Sequence, residues 1–566
     1  MPNRWLLIFL LSCLTLSALP IQSLAGIAPE SMPATLMTII SQLNDRPDLQ
    51  IAAESVLMPD ELMQFYADRG YEPLWSTDDS GGRACIRVVL ARLEKSRDIG
   101  RCDSSYHLTF FENLLSYFTL DEQDYTLPML RWSGWYDLLL TDALFHYARH
   151  LVEERVQFDA VQDSWGVNGE TVNLVELVSV TARAEELDEL LQPYQPKHDA
   201  YLSLRRVLER YRAIEAFGGW PPIPAGATLR LGVTDKRVAR LRTSLLLMGD
   251  LVALPVGDSL TMTEADVEAL RRFQRRHGLS ADGILGPGTL AALNVPVSER
   301  VRQIELNLER WRWLPRDLGQ KYLQVNVADF SASVIDQGRT VLSMPVVVGN
   351  RYRKTPIFSA RMTYVEFSPY WYVPPTVLAE DKLPLIKVDP AYIGQHHYEI
   401  VAWDKQTLID PETIDWDTVD ADTFPGLLRM QPGPWNPLGR AKFIFPNEHA
   451  IYLHDTNERW LFTRRDRQFS SGCIRFKQPV KLARYLLADQ GWDAAQIKTA
   501  MERPEPQQLY LKQPLPVHIF YLTAWVDDAG QINFRKDVYG RDRELRQALN
   551  RAPNGCSLQH TAMVMP

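Results

Sequence analysis

Positive charge, cysteine and long apolar runs are all scarce in this chain of 566 residues. Lys and Arg number 61 against 70 Asp and Glu, a net charge of −9. That balance excludes a generic nucleic-acid binder, because phosphate contacts need clustered cations. Five cysteines cannot build a disulfide-stapled scaffold of this size. No apolar segment reaches the ~20 residues that a spanning helix needs. Neither a phosphate-cradling glycine loop nor a G-x-S-x-G elbow occurs, so those nucleotide and serine-hydrolase chemistries are also excluded. What is present is ordinary globular composition, 46% hydrophobic and 23% charged, with 15 Trp and 37 Pro. Such a chain buries several cores, roughly three to four domains by length, and carries loop-rich, aromatic-lined surfaces.

The first residues read as an address. Met1 to Arg4 is a short positive start, Trp5 to Leu19 is apolar, and Ser23-Leu24-Ala25 offers small residues for cleavage after Ala25. Residues 1–25 are therefore expected to be a secretory signal peptide. Left uncleaved, the same stretch would act as an inner-membrane anchor. Leu10-Leu11-Ser12-Cys13 is a poor lipoprotein signal, because Leu11 is bulky and the apolar run continues beyond the cysteine. In an oxidising compartment Cys85 and Cys102 either bridge or stay as two free thiols, and both readings stand.

Residues 26–235 are expected to form a helical scaffold domain. Trp132 to Ala148, Leu174 to Leu190 and Tyr201 to Phe217 place apolar residues at three- and four-residue spacing. His146 and His150 have the spacing of a metal pair, but no further ligand set accompanies them. Gly218 to Pro224 is a break. Helices are expected over 238–248 and 263–277, the latter leading into a glycine-rich segment, Gly278 to Gly288. A further amphipathic helix is expected near 301–313, within a 297–318 segment that returns to the scaffold.

Beyond Pro315 the period shortens to two. Strands are expected at 322–327, 332–335, 341–348, 362–367, 442–445, 451–453, 518–524 and 532–534, with one helix at 480–490. Residues 319–550 thus read as a mainly β domain and 551–566 as a tail. Residues 380–425 are poorly patterned and are expected to be a lid-like insertion. His396-His397-Tyr398-Glu399 lacks a third metal ligand. Asp415 to Asp422 resembles a calcium loop without the glycine that such a turn needs. No metal or other cofactor is expected.

The chemistry concentrates in Tyr452-Leu453-His454-Asp455-Thr456 and Phe469-Ser470-Ser471-Gly472-Cys473-Ile474-Arg475. A thiol is mostly protonated near neutral pH and needs a base or a positive setting to attack. His454 follows a strand, a rigid mount for an imidazole. The N–H groups around Gly472 and Cys473 can face an oxyanion. The imidazole needs an acceptor to fix its tautomer, which Asp455 or a nearby carbonyl can supply.

Two resemblances follow. Phe273, Gln274, Gly278, Leu279, Asp282, Gly283, Gly286, Thr289 and Leu293 reproduce the hallmark of a three-helix peptidoglycan-binding module, expected over 236–296. His454, fifteen intervening residues, then Ser470-Ser471-Gly472-Cys473-Ile474-Arg475 resembles the catalytic motif of the L,D-transpeptidases, and Gln431 to Phe443 resembles the segment leading into it. The likeness is to the large periplasmic Gram-negative members and covers nearly all of the mature chain. One departure is Ser471, where most of that family has His.

The resemblance implies an α+β multidomain chain: helical scaffold, small peptidoglycan-binding module, then a mainly β catalytic domain. It implies Cys473 as nucleophile, His454 as base and the Asp455 carbonyl as its acceptor, beside Gly472. Ser470, Ser471 and Arg475 would shape the substrate pocket, Arg475 as a carboxylate clamp or a structural ion pair. Tyr370 and Trp371 would form an aromatic wall. The implied partners are peptidoglycan stem peptides, a tetrapeptide donor and a diaminopimelate acceptor, with carbapenems as acylating inhibitors and other cell-wall enzymes as neighbours. The implied reaction is periplasmic 3→3 cross-linking. Hydrolysis of the acyl-enzyme, lipoprotein attachment and a non-catalytic wall-binding scaffold are the alternatives.

Overall fold

The computed structural model describes residues 31–46, 48–75, 91, 93, 106–108, 110–111, 128–152, 173–180, 196–254, 260–315 and 317–551. The signal-peptide reading, Cys85, Cys102 and the tail beyond 551 lie outside them, as does the side chain of His150.

The N-terminal elements are α1 (Met32–Asp45), β1 (Gln50–Ile51), β2 (Glu54–Ser55), α2 (Pro59–Asp68), α3 (Pro128–Val152) and α4 (Leu174–Val180). Their apolar faces close on one core that includes Leu36, Leu62, Phe65, Leu139, Phe145 and Val178. Asp142 of α3 is fully buried there and accepts from the N–H groups of Leu57 (2.9 Å) and Met58 (2.8 Å), which open α2. His107 bridges Asp142 (2.8 Å) and Glu54 (3.0 Å). His146 is buried in the same core.

The following elements are α5 (Asp199–Ala216), α6 (Arg237–Met248), α7 (Glu264–Arg276), α8 (Pro287–Leu293) and α9 (Val297–Arg312). Thr263 and Asp266 form a capping box at the start of α7, which is why that helix begins where it does. Gln274 ties the glycine-rich turn together. Its side chain donates to Asp282 (2.7 Å), the Ile284 carbonyl (3.0 Å) and Thr289 (3.1 Å), and accepts from the Gly283 N–H (2.8 Å). Helix α9 lies along α5, and both contribute to a single core running from Tyr201 to Leu549.

The β region holds β3 (Lys321–Asn326), β4 (Ser331–Asp336), β5 (Arg339–Gly349), β6 (Phe358–Phe367), β7 (Trp371–Tyr372), α10 (Pro375–Val377), a π-helical turn (Leu378–Lys382), α11 (Leu383–Val388), α12 (Tyr392–Gln395), β8 (Tyr398–Val401), β9 (Leu408–Ile409), β10 (Leu427–Met430), β11 (Ala441–Ile444), β12 (Leu453–His454), β13 (Gln468–Ser470), β14 (Ile474–Phe476), α13 (Pro479–Leu487), α14 (Ala494–Met501), β15 (Gln507–Phe520), β16 (Ala524–Val526), β17 (Ile532–Phe534) and α15 (Arg541–Arg551). Strand order is β5-β14-β12-β11-β6-β15-β3-β4, and β4 pairs back with β5, so the sheet closes on itself. Closure removes the open edges that would otherwise invite aggregation. The β12/β14 and β15/β3 pairs are parallel.

Two strands depart from the sequence expectation for identifiable reasons. The strand expected over 451–453 is only Leu453–His454, because the Asn447 side chain takes both the N–H (3.1 Å) and the carbonyl (2.7 Å) of Ile451. The strand expected over 518–524 reaches back to Gln507 and stops at Phe520, where Asn326 and Asn307 capture the backbone of Leu522 and Thr523.

The expectation of little regular structure over 380–425 does not hold. Residues between Trp371 and Met430 form a four-stranded sheet, order β7-β10-β8-β9, with short helices and a core of their own that includes Ile386, Ile393, Ile400, Trp416, Phe424 and Leu428. The strands are two to four residues long and are interrupted by Pro and Asp, too short to show a period in sequence.

Candidate active site

Cross-strand register builds the site. In the closed sheet Lys442 pairs with Glu366 and His454, and His454 with Arg475. Side chains alternate, so these four share one face, while Val365, Phe443, Leu453 and Ile474 point into the core. Tyr452 and Cys473 each lie two residues before a member of that row, and the Ile474 N–H donates to the Tyr452 carbonyl (3.2 Å). Tyr452, His454, Cys473 and Arg475 therefore meet on one rigid patch.

The His454 Nδ1–H donates to the Asp455 carbonyl (2.5 Å), which fixes the ring. The Asp455 carboxylate is used elsewhere. It accepts from the Arg440 N–H (2.9 Å) and from Arg459 (2.6 Å), and burial pushes its pKa up. Gly439, at φ +60°, lets that carboxylate approach: a Cβ there would sit 2.5 Å from it. Burial, aided by the Arg475 charge, holds His454 down at about 3. Burial likewise raises the Cys473 thiol, although Tyr452 and Lys442 oppose the shift. Near neutral pH these shifts favour the thiol and the neutral imidazole over a standing ion pair.

The turn before the cysteine is held by hydroxyls. Ser470 Oγ donates to the Cys473 carbonyl (2.5 Å) and accepts from the Gly472 N–H (3.2 Å). Thr355 donates to the Gly472 carbonyl (2.7 Å). Gly472 sits at φ +117°, a conformation reserved for glycine. Since its N–H is engaged by Ser470, it does not face an oxyanion, contrary to the sequence expectation. Ser471 is exposed and accepts from Arg353 (3.2 Å). Arg475 is ion-paired with Glu458.

Arg429 lies 4.0 Å above the Tyr370 ring, and Trp371 packs against the core of the 371–430 unit. The Tyr452 hydroxyl is within electrostatic reach of both the Cys473 thiol and the Trp371 indole, and the Lys442 ammonium lies 4.0 Å over its ring. Tyr452 and Lys442 stood inside the stretches singled out in the sequence but were given no role there, although Y-x-H alternation on a strand is a usable signal. Thr355 and Arg353 carried none, being more than 100 residues away from Cys473.

Among the described residues, contacts join the 371–430 unit to this patch and its surroundings. Trp371 meets Tyr452, His397 stacks on Trp435 at 3.6 Å, and Arg353 pairs with Glu380 and Asp381. His396 stacks on Tyr392 (3.9 Å). Among the described residues no group of three or more His, Cys, Asp or Glu is arranged to hold a metal.

Comparison with known proteins finds matches along the chain. Residues 320–503 match the family model described as "L,D-transpeptidase catalytic domain", residues 60–208 "Scaffold domain", and residues 261–293 "Putative peptidoglycan binding domain". A Haemophilus influenzae protein named "Putative L,D-transpeptidase" is 34% identical over 258 residues, which are 45% of this chain and 51% of that protein. The chain therefore spans about half the length of this curated relative. A crystal structure of an L,D-transpeptidase from Xylanimonas cellulosilytica covers 52% of this chain and 99% of its own, at 15% identity and a TM-score of 0.18, too low to carry an argument. The β region that carries Cys473 and His454 thus matches the L,D-transpeptidase catalytic-domain model, in one chain with a match to a putative peptidoglycan-binding domain.

Proposed function

We propose that this protein is a periplasmic L,D-transpeptidase that forms 3→3 peptidoglycan cross-links through a cysteine acyl-enzyme. The observation that carries the reading is the row Tyr452, His454, Cys473, Arg475 on the β12/β14 ladder, with His454 fixed by the Asp455 carbonyl. Cys473 Sγ bonds to the carbonyl carbon of the third stem residue while His454 takes the thiol proton. The peptide bond to the terminal D-Ala breaks, and that amine leaves with the proton. The side-chain amine of diaminopimelate on a second stem then attacks the thioester, the C–S bond breaks, and the thiol is restored. The Cys473 N–H stabilises the oxyanion in both halves. Export by the 1–25 signal belongs to this proposal, as does acylation by carbapenems. Among the described residues no helix is long and apolar enough to cross a membrane.

The 371–430 unit is read as a lid whose contacts through Trp371, His397 and Arg353 exclude water from the thioester and favour an amine acceptor. The test is incubation of purified tetrapeptide stems with the wild type and with Cys473→Ala, with cross-linked dimers read by mass spectrometry. Dimers from the wild type alone are expected. Dimers from Cys473→Ala would overturn the assignment.

A further inference from the structure

Where the small module meets the closed sheet there is a pocket of about 270 Å³ whose lining includes no residue of the cysteine turn. One wall is the turn after α7, His277 to Ser280, which lies within the peptidoglycan-binding match. The opposite wall is the loop before β13 and the residues after β17. The junction is tight. His277 stacks between Phe273 (3.8 Å) and Phe534 (5.4 Å), and Arg535 donates to the Arg276 carbonyl (2.9 Å). A Cβ on Gly278 would come within 2.8 Å of the Arg535 side chain. The pocket is thus a fixed product of two units, not a gap between loosely tethered ones.

Its charge is one-sided. Arg465, Arg467, Arg535 and Lys536 face two carboxylates, Asp329 and Asp466. Asp329 is bonded to Arg535 (2.6 Å). Among the described residues Arg467 donates to the carbonyls of Val346 (3.1 Å), Arg464 (3.0 Å) and Phe330 (3.0 Å), and the Asp329 and Asp466 charges act on it from a distance. Arg465 and Lys536 are exposed at the mouth and form no ion pair among the described residues. A small concavity with surplus cations attracts an anion, and a guanidinium favours a planar carboxylate.

We propose that this pocket binds the carboxylate of a peptidoglycan stem peptide other than the one acylated at Cys473. The proposal rests on the peptidoglycan reading above and adds a second stem-binding place to it. Arg467 and Cys473 flank β13 and are six residues apart in the chain, so the two residues lie within at most about 20 Å of each other. A stem held in the pocket would bring a neighbouring piece of wall to the catalytic face.

The experiment uses the full chain with Cys473 first acylated by a carbapenem, so that the catalytic pocket is filled. Failure of that acylation would count against the active-site reading, not against the pocket. Binding of a free tripeptide stem is then measured by calorimetry, beside the same tripeptide with its carboxylates amidated and beside inorganic phosphate. The acylated wild type is expected to bind the free tripeptide. Arg465→Gln combined with Lys536→Gln should weaken it at least tenfold while leaving the rate of acylation unchanged. Both substituted residues are exposed and distant from the core, so folding is retained. Equal affinity in the acylated wild type and the double variant would overturn the proposal, as would no binding at all. Equal affinity for the free and amidated tripeptides, or phosphate binding as tightly as the tripeptide, would overturn the carboxylate assignment.

Discussion

At Cys473 and His454 burial sets the protonation states, and that has a measurable signature. The thiol lies above its ordinary range and the imidazole near 3. Alkylation of Cys473 by iodoacetamide is therefore expected to stay slow through neutral pH and to rise only at alkaline pH. Rapid alkylation at pH 6 would reveal a preformed thiolate instead. His454→Ala should cut acylation by roughly 10²–10⁴, the usual contribution of a positioned base, when inhibitor acylation is followed by mass spectrometry. Tyr452→Phe keeps the ring under Lys442 but removes the hydroxyl beside the thiol. A change in acylation rate with an unchanged melting temperature would assign that hydroxyl to the reaction.

Among elements, the 371–430 unit and the N-terminal helices each carry a prediction. Arg353 ties the π-helical turn to the cysteine loop through Glu380, Asp381 and Ser471. Arg353→Ala should loosen that tie and raise the ratio of hydrolysed tripeptide to cross-linked product, with Cys473 still acylated by inhibitor. An unchanged ratio would leave the unit without a lid role. In the N-terminal core, burial alone would push the His107 pKa down, but hydrogen bonds to Asp142 and Glu54 outweigh it and lift it to about 9. Its unfolded value is near 6.5. The stabilisation is therefore complete below about pH 6.5 and is lost as pH rises through about 9. Thermal melts at pH 7 and pH 9.5 should show a drop in the wild type that His107→Gln does not share.

Across the whole molecule the unit that matches a putative peptidoglycan-binding domain packs against the closed sheet and is also a candidate wall anchor. Phe273 is fully buried in the same core as α5, α9 and the closed sheet. Phe273→Ala should cost about 3–5 kcal/mol and lower the melting temperature of the catalytic body, followed by calorimetry. Deleting the module would strip cover from Trp220 and Phe534. Loss of sacculus binding after such a deletion would therefore mix weaker wall contact with damaged folding. Surface substitutions on the module separate the two effects.

Sequence alone determined the parts whose information is local. The cysteine motif, its histidine and the glycine-rich turn after α7 are short strings whose chemistry is contained in neighbouring residues. Most strands of the closed sheet were visible because alternation is a local period. Tertiary structure decided what depends on residues far apart in the chain. Thr355 and Arg353 reach the cysteine turn only through the pairing of β5 with β13 and β14. The Gly472 amide is taken by Ser470, a matter of turn geometry that no motif encodes. The 371–430 unit folds from strands too short to show a period, held by a core gathered from its two ends. The cationic pocket exists because Arg535 docks against Gly278, residues 257 positions apart whose proximity is created by the shared core.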